Sequence, residues 1–259
     1  MMTAMELSAP VFFIVCPLVF LAGFVDSIAG GGGLISLPAY VAAGIPIHYA
    51  LGTNKCSSAV GTITASFRYY RSGYVDMPLC APSIAAALAG SALGASLTLL
   101  VNERFLQGLL LVILPLTAFY VFRKKDFEIQ GGALPRRRTI VLAAVISFVI
   151  GGYDGFFGPG AGTFLILLYT GLAKINPRIA AGNAKVVNLA SNTAAAALFI
   201  INGRALIPLG LTAGVFSIAG AYLGSGLVIR RGARVIRYVI MGVLCLLFAK
   251  TGWDMFGGP

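Results

Sequence analysis

Two lysines in apolar surroundings are the residues whose chemistry most needs an explanation. Lys55 lies in the segment HYALGTNKCSSAVGT and Lys185 in the segment AGNAKVVNLASNTAA, and each has an asparagine close by, Asn54 and Asn183. Burying an ammonium group is costly unless the group has a partner or a function. Such a lysine can bind a small anion, because it offsets the charge of that anion.

Hydrogen-bonding side chains follow each lysine at helical spacing. Asn188 and Asn192 come three and seven residues after the second lysine, which places them on its face of a helix. Ser58 and Thr62 repeat this spacing after the first lysine. Two such faces can line one polar cavity, or their side chains can join helices by hydrogen bonds. We favour the cavity as a hypothesis.

Two aspartates each precede a glycine-rich run. Asp26 comes before Gly30–Gly33, and Asp154 comes before the GPGAG run of Gly158–Gly162. Glycine permits tight reversals and close approach of the backbone, and a helix that starts after such a run directs N–H groups towards it, which suits an anion. The alternative is that the glycines only allow helices to pack closely. The aspartates can pair with the lysines or carry a coupling proton, and the sequence leaves both roles open.

Long apolar runs must position these residues. Of the 259 residues, 58% are hydrophobic and 10% are charged, whereas soluble domains are about 25% charged. Runs of roughly 20 apolar residues, the length that spans a bilayer, recur along the chain. The net charge of +11 comes from basic residues in the connections between these runs, which is typical of membrane proteins rather than of nucleic-acid-binding proteins. We predict an all-α polytopic membrane protein.

The chain is a duplicated unit. GFVDSIAGGGGLISLP aligns with GGYDGFFGPGAGTFLI, and GTNK aligns with GNAK, with matched residues 128 to 130 positions apart. Residues 1–125 are predicted to form the first repeat, residues 126–138 a cytoplasmic linker, and residues 139–259 the second repeat. The predicted helices are about 10–29, 34–44, 47–70, 77–100 and 103–122 in the first repeat, and 139–157, 162–172, 177–201, 205–229 and 234–256 in the second.

The distribution of lysine and arginine indicates the orientation of the repeats. If each short helix returns across the membrane, which inverts the second repeat, 14 of the 19 basic residues fall on the cytoplasmic side and 3 outside. If it does not return, the split is 10 to 7. We therefore predict two inverted repeats, each of four long helices plus one short helix after a Gly-rich break. Both termini are then outside the cytoplasm, and the protein lies in the cell inner membrane.

The order of these motifs resembles the TauE/SafE family of membrane transporters. GGGGLISLP, HYALGTNKCSSAVGT, GGYDGFFGPGAGTF and AKVVNLASNTAA carry the likeness, which extends from about residue 23 to residue 256. The resemblance implies transport of sulfite, an organosulfonate or a related small anion. Because the first repeat has a serine and a threonine where the second has two asparagines, we expect an asymmetric site.

Together these features predict a secondary transporter that moves a small sulfur-containing anion by alternating access. An intramembrane enzyme and a passive anion channel are the alternatives, but the single histidine, His48, offers no nucleophile and base pair. We predict no catalytic residue, no metal and no cofactor. The expected partners are the anion, the lipid bilayer and, if the aspartates titrate, a proton; no nucleic acid is expected, and the oligomeric state stays open.

The predicted site contains substrate-binding residues and two aspartates that pair charges or carry the proton. The substrate-binding residues are Gly31, Gly32, Asn54, Lys55, Ser58, Thr62, Gly160, Gly162, Asn183, Lys185, Asn188 and Asn192. The aspartates are Asp26 and Asp154.

Overall fold

The computed structural model describes residues 9–110, 112 and 134–231, and within these residues the chain is helical and contains no strand. The helices are α1 (Ala9–Ala29), α2 (Gly33–Ala42), α3 (Ile47–Arg71), α4 (Met77–Leu100), α5 (Arg136–Phe156), α6 (Ala161–Gly171), α7 (Pro177–Ile201) and α8 (Ile207–Arg231). Residues 103–110 are also helical. The rest of the predicted helix 103–122 and the predicted helix 234–256 lie outside the described residues, apart from residue 112. The all-α prediction is confirmed.

Five of the described helices are long and apolar enough to cross a membrane, namely α1, α4, α5, α7 and α8. They make the chain a multi-pass membrane protein. Helix α3 also has 25 residues but is more polar, because it carries Asn54, Lys55 and Thr62 among its buried side chains. In a bilayer such groups are stable only against protein or a wet cavity. Helix α3 therefore belongs in the interior of the bundle.

Helix α5 starts at Arg136, three residues before the predicted start. Its N-terminal residue Arg136 donates two hydrogen bonds, at 2.5 and 2.6 Å, to the carboxylate of Asp76 in the loop before α4. The Arg136 guanidinium beside Asp76 holds the pKa of that carboxyl below its ordinary value. This bidentate pair gives the first arginine of the RRR run a fixed partner.

The two predicted repeats pack against each other through two matching interfaces, α4 with α5 and α8 with α1. A Cβ on Gly90 of α4 would lie 2.2 Å from the carbonyl oxygen of Phe148 in α5. A Cβ on Gly220 of α8 would lie 2.0 Å from the carbonyl oxygen of Phe20 in α1. These glycines match each other in the duplicated sequence, and so do the phenylalanines. The same close, small-residue packing therefore forms twice.

The matching helices α3 and α7 run in opposite directions where they meet. A Cβ on Gly52, near the start of α3, would lie 2.9 Å from the Cβ of Phe199, near the end of α7. One turn further along α3, the Lys55 Nζ donates to the Oδ1 of Asn192, which lies earlier in α7, at 3.2 Å. Inverted repeats require this antiparallel course. The orientation of the repeats relative to a membrane stays a prediction.

Candidate functional site

The two glycine-rich breaks lie against each other in the interior. Gly30 and Gly160 have φ angles of +80° and +83°, a region that glycine enters without steric cost. A Cβ on Gly30 would lie 2.2 Å from the carbonyl carbon of Gly162, and the Thr163 hydroxyl donates to the carbonyl oxygen of Ala29 at 2.8 Å. The starts of α2 and α6 therefore lie side by side. At their closest contact, between Gly30 and Gly162, only glycine fits.

The first lysine forms a fully buried ion pair. The Lys55 Nζ lies 2.7 Å from the Asp154 carboxylate, and the side chains are 2% and 4% exposed. Asp154 also accepts hydrogen bonds from the Ser191 hydroxyl and, at 3.4 Å, from the Asn188 amide. The Lys55 amine has a second acceptor in the Oδ1 of Asn192. Both charges of this pair are thus held by several polar groups.

The second lysine forms the corresponding pair in a more open place. The Lys185 Nζ lies 2.8 Å from the Asp26 carboxylate; the lysine side chain is 1% exposed and the aspartate side chain 19%. Besides this lysine, Asp26 accepts a hydrogen bond from the backbone N–H of Gly32 at 3.2 Å. Each lysine therefore pairs with the aspartate of the other repeat, and the four side chains have no net charge.

Two adjoining cavities lie beside these pairs. We call the first the lysine cavity and the second the hydroxyl cavity. The polar side chains and glycines of the predicted site that line the lysine cavity are Asp26, Asn54, Lys55, Ser58, Asp154, Gly162, Asn188 and Asn192. The polar side chains that line the hydroxyl cavity are Asp26, Ser36, Ser58, Thr62 and Ser217, together with the backbone of Gly32. Asp26 and Ser58 line both cavities.

Comparison with known proteins identifies the family of this chain. The family model described as Sulfite exporter TauE/SafE matches residues 15–251. The chain belongs to the TauE/SafE family. Family membership identifies this TauE/SafE protein as a membrane transporter and not an enzyme. No solved structure matches the chain.

Several relatives have names that agree with the family. The chain is 36% identical over 225 residues to the probable membrane transporter protein ORF9 of a Sinorhizobium species, covering 86% of this chain and 85% of the relative. It is 35% identical over 237 residues to the probable membrane transporter protein YfcA of Escherichia coli, covering 92% of this chain and 88% of the relative. A probable membrane transporter protein of Haemophilus influenzae is 34% identical over 236 residues, with 91% and 92% covered.

Asn183 lies outside both cavities of the TauE/SafE protein. Its Oδ1 accepts a hydrogen bond at 2.9 Å from the backbone N–H of Asp76, just before α4. In the duplicated sequence Asn183 matches Thr53 rather than Asn54, and the Thr53 hydroxyl accepts from the backbone N–H of Leu206 at 2.9 Å in the same way. This hydrogen bond holds the start of the next helix, and donation by Asn183 to substrate stays a prediction.

Three other predicted residues belong to the region without lining either cavity. Gly31 and Gly160 lie in the breaks, and Gly160 directly precedes α6. The Lys185 amine contacts Asp26, which lines both cavities, but Lys185 itself lines neither. These residues contribute backbone geometry and charge rather than cavity wall.

Three serines at the site were not predicted from the sequence. Ser191 donates to Asp154, Ser36 donates to the Oδ1 of Asn54 at 2.6 Å, and Ser217 lines the hydroxyl cavity. Ser191 follows Asn188 by three residues, so helical spacing alone could have identified it. Ser36 and Ser217 lie on helices with no comparable polar pattern, and only the packing brings them to the site.

Metal or histidine chemistry has no visible basis in the part of the chain that the structure describes. Within residues 9–110, 112 and 134–231, no group of three or more His, Cys, Asp or Glu side chains could hold a metal ion. His48 is buried in the first turn of α3 and lines neither cavity. The polar side chains that line the two cavities carry amine, carboxylate, amide and hydroxyl groups.

Proposed function

We propose that this TauE/SafE protein is a secondary transporter that moves a small sulfur-containing anion across the cell inner membrane by alternating access. The observation that carries the proposal is the pair of buried lysine–aspartate contacts made between the repeats, beside two breaks that touch. An anion at this place replaces a carboxylate as the partner of a lysine. The N–H groups at the starts of α2 and α6 offer further donors.

The donors at the lysine cavity suit an oxyanion. Sulfite and short sulfonates carry three oxygens that each accept hydrogen bonds, and the cavity offers an ammonium group, three asparagine amides and a serine hydroxyl. Hydrogen bonds that involve a charged group are roughly twice as strong as neutral ones. The description of the family as sulfite exporters supports the same class of substrate.

The packing of the repeats supports alternating access. Lys55 on α3 binds Asp154 on α5, and Lys185 on α7 binds Asp26 on α1, so both pairs cross from one repeat to the other. When the repeats move against each other, contacts that cross between them rearrange around the substrate. The antiparallel course of α3 and α7 supports an inverted-repeat transporter, in which substrate binds where broken helices meet.

The test is flux in liposomes that contain the purified full chain. We expect uptake of ³⁵S-labelled sulfite or methanesulfonate, and we expect unlabelled anion inside the vesicles to accelerate that uptake. With the membrane potential clamped at zero, such acceleration is typical of a carrier and is not expected of a passive channel. Mass spectrometry of the transported anion should show an unchanged species, and chemical alteration would favour an enzyme instead.

Lys185→Ala tests the role of the lysines. A hydrogen bond to a charged group contributes about 1.5–3 kcal/mol, so we expect flux to fall about 10- to 100-fold. Arg178→Ala is the matched control, since Arg178 is an exposed cation on the same helix and should not change flux. Unchanged flux in Lys185→Ala would remove this lysine from the mechanism.

A further inference from the structure

We infer that Asp26 takes up the coupling proton of this transporter, while Asp154 stays ionised as the fixed counter-ion of Lys55. The inference rests on the proposed function and deepens it, because it assigns different roles to two aspartates that hold matching places in the repeats. The surroundings of the two carboxylates carry the inference.

Asp154 is held by donors on both of its carboxylate oxygens. Lys55 donates to one oxygen, and Ser191 and Asn188 donate to the other. The Lys55 amine, whose side chain is 2% exposed, also donates to the amide oxygen of Asn192, so both partners of this pair are held by further polar groups.

Asp26 is placed to exchange a proton. Its side chain is 19% exposed, whereas that of Asp154 is 4% exposed. Asp26 lines both cavities, and on the side of the hydroxyl cavity it meets a wall that includes Ser58, Thr62 and Ser217. Each hydroxyl both donates and accepts hydrogen bonds, so a proton on Asp26 would face groups that can exchange it. Of these two cavities, Asp154 borders the lysine cavity alone.

Of the charged groups around Asp26, Lys185 is the one that forms an ion pair with it. Helix α7 supplies Lys185 at 2.8 Å, and across the lysine cavity α3 and α5 supply the other ion pair, whose charges already offset each other. Tyr69 of α3 lies close enough to interact electrostatically with Asp26, but its hydroxyl donates to the carbonyl oxygen of Ser27. Gly32, the residue before α2, donates its backbone N–H to Asp26. Helix α8 supplies the hydroxyl of Ser217 to the wall of the hydroxyl cavity.

This arrangement couples a proton to an anion through competition for one amine. When a proton binds to a carboxylate oxygen of Asp26, the carboxylic acid is neutral and the Lys185 ammonium group loses its counter-ion. A monovalent anion then takes the place of the carboxylate beside Lys185. The lysine–aspartate pair has no net charge when empty, and it has none when it holds one proton and one such anion. The two ligands therefore move together, and their summed gradients set the direction of flux.

Binding at different pH values tests the coupling. The probe is labelled methanesulfonate, because its acid is fully dissociated and the probe carries no proton itself. For one linked proton we expect the Kd of the purified full chain to rise about tenfold per pH unit above the range in which Asp26 is protonated. In Asp26→Asn the Kd should not depend on pH in this way. An unchanged pH dependence in Asp26→Asn would overturn the inference.

Infrared spectroscopy identifies the protonated residue without relying on transport. Addition of methanesulfonate to the wild type should produce a C=O band of a protonated carboxyl group. We expect Asp26→Asn to lose this band and Asp26→Glu to shift it, while Asp154→Glu leaves it in place. A band that shifts in Asp154→Glu and persists in Asp26→Asn would assign the proton to Asp154 and contradict the inference.

Failure of the proposed function is a separate outcome. If the wild type moves neither sulfite nor methanesulfonate, the anion transporter proposal fails. The carboxyl band is then recorded on acidification alone, with the same variants. A band that disappears in Asp26→Asn supports protonation of Asp26. A spectrum that is the same in Asp26→Asn as in the wild type rejects that assignment.

Discussion

Asp26 and Asp154 hold matching places in two repeats, but their carboxylates have different surroundings. Asp154 is fully buried among Lys55, Ser191 and Asn188, whereas Asp26 has one lysine, one backbone N–H and a cavity on each side. Duplication places the charges, and the residues around each charge then determine what it can do. The structure thus supports one fixed ion pair and one exchangeable pair.

The stability of the two aspartate variants should differ. Asp154→Asn leaves the buried Lys55 ammonium group without its counter-ion, and breaking a buried pair in this way costs about 3–5 kcal/mol. Asp26→Asn should cost less, because Asp26 is 19% exposed. Thermal unfolding of the purified variants in detergent measures the difference.

The double variant Lys55→Met, Asp154→Asn is the control for this prediction. It removes both charges, so it should recover much of the lost stability. If Asp26→Asn proved the more damaging single change, the assignment of Asp154 as the fixed counter-ion would be wrong.

At the scale of the elements, the breaks between α1 and α2 and between α5 and α6 give the site its shape. Each break interrupts a helix inside the protein, where the backbone must still find partners. Gly30 supports this geometry through its positive φ and its contact with Gly162. Helix α3 adds the polar face that the breaks enclose, so the site depends on three kinds of element: long helices, short helices and the glycines between them.

Two adjacent glycines of the first break should respond differently to alanine. In Gly30→Ala the new Cβ would lie 2.2 Å from the carbonyl carbon of Gly162, and the backbone would be strained at φ +80°. We expect this variant to lose flux in liposomes. In Gly31→Ala the nearest atoms would be 3.6 to 3.8 Å away, which is ordinary contact, so this matched variant should keep most of the flux. Equal flux in both variants would show that the contact between the breaks is not needed for transport.

At the scale of the whole molecule, helix packing and ion pairs hold the two predicted repeats together. The interfaces α4 with α5 and α8 with α1 repeat the same glycine packing, and both lysine–aspartate pairs cross between the repeats. Arg136 and Asp76 add a bidentate pair at the surface. Relative motion of the repeats must therefore rearrange contacts at the centre of the molecule, where the proposed substrate binds.

The predicted topology can be tested at two matching loops. Ser72, after α3, is predicted to face the cytoplasm, and Asn202, at the matching place after α7, is predicted to face outside. A membrane-impermeant maleimide applied to intact cells should label Asn202→Cys but should label Ser72→Cys only after permeabilisation. A C-terminal reporter that is active only in the cytoplasm should stay silent. Labelling of both cysteines from outside, or an active reporter, would reject the inverted arrangement.

The sequence by itself determined the class of protein, the bounds of most described helices and the residues that carry charge into the interior. Predicted helices 47–70 and 77–100 are α3 and α4 of the structure to within one residue, because apolar length, proline and glycine act locally. The pairing of the charges was decided by the tertiary structure, since Lys55 and Asp154 are 99 residues apart and Lys185 and Asp26 are 159 apart. The place of Asn183 and the serines that reach the site also depended on packing, because helical spacing gives the face of a side chain but not the helix that it meets.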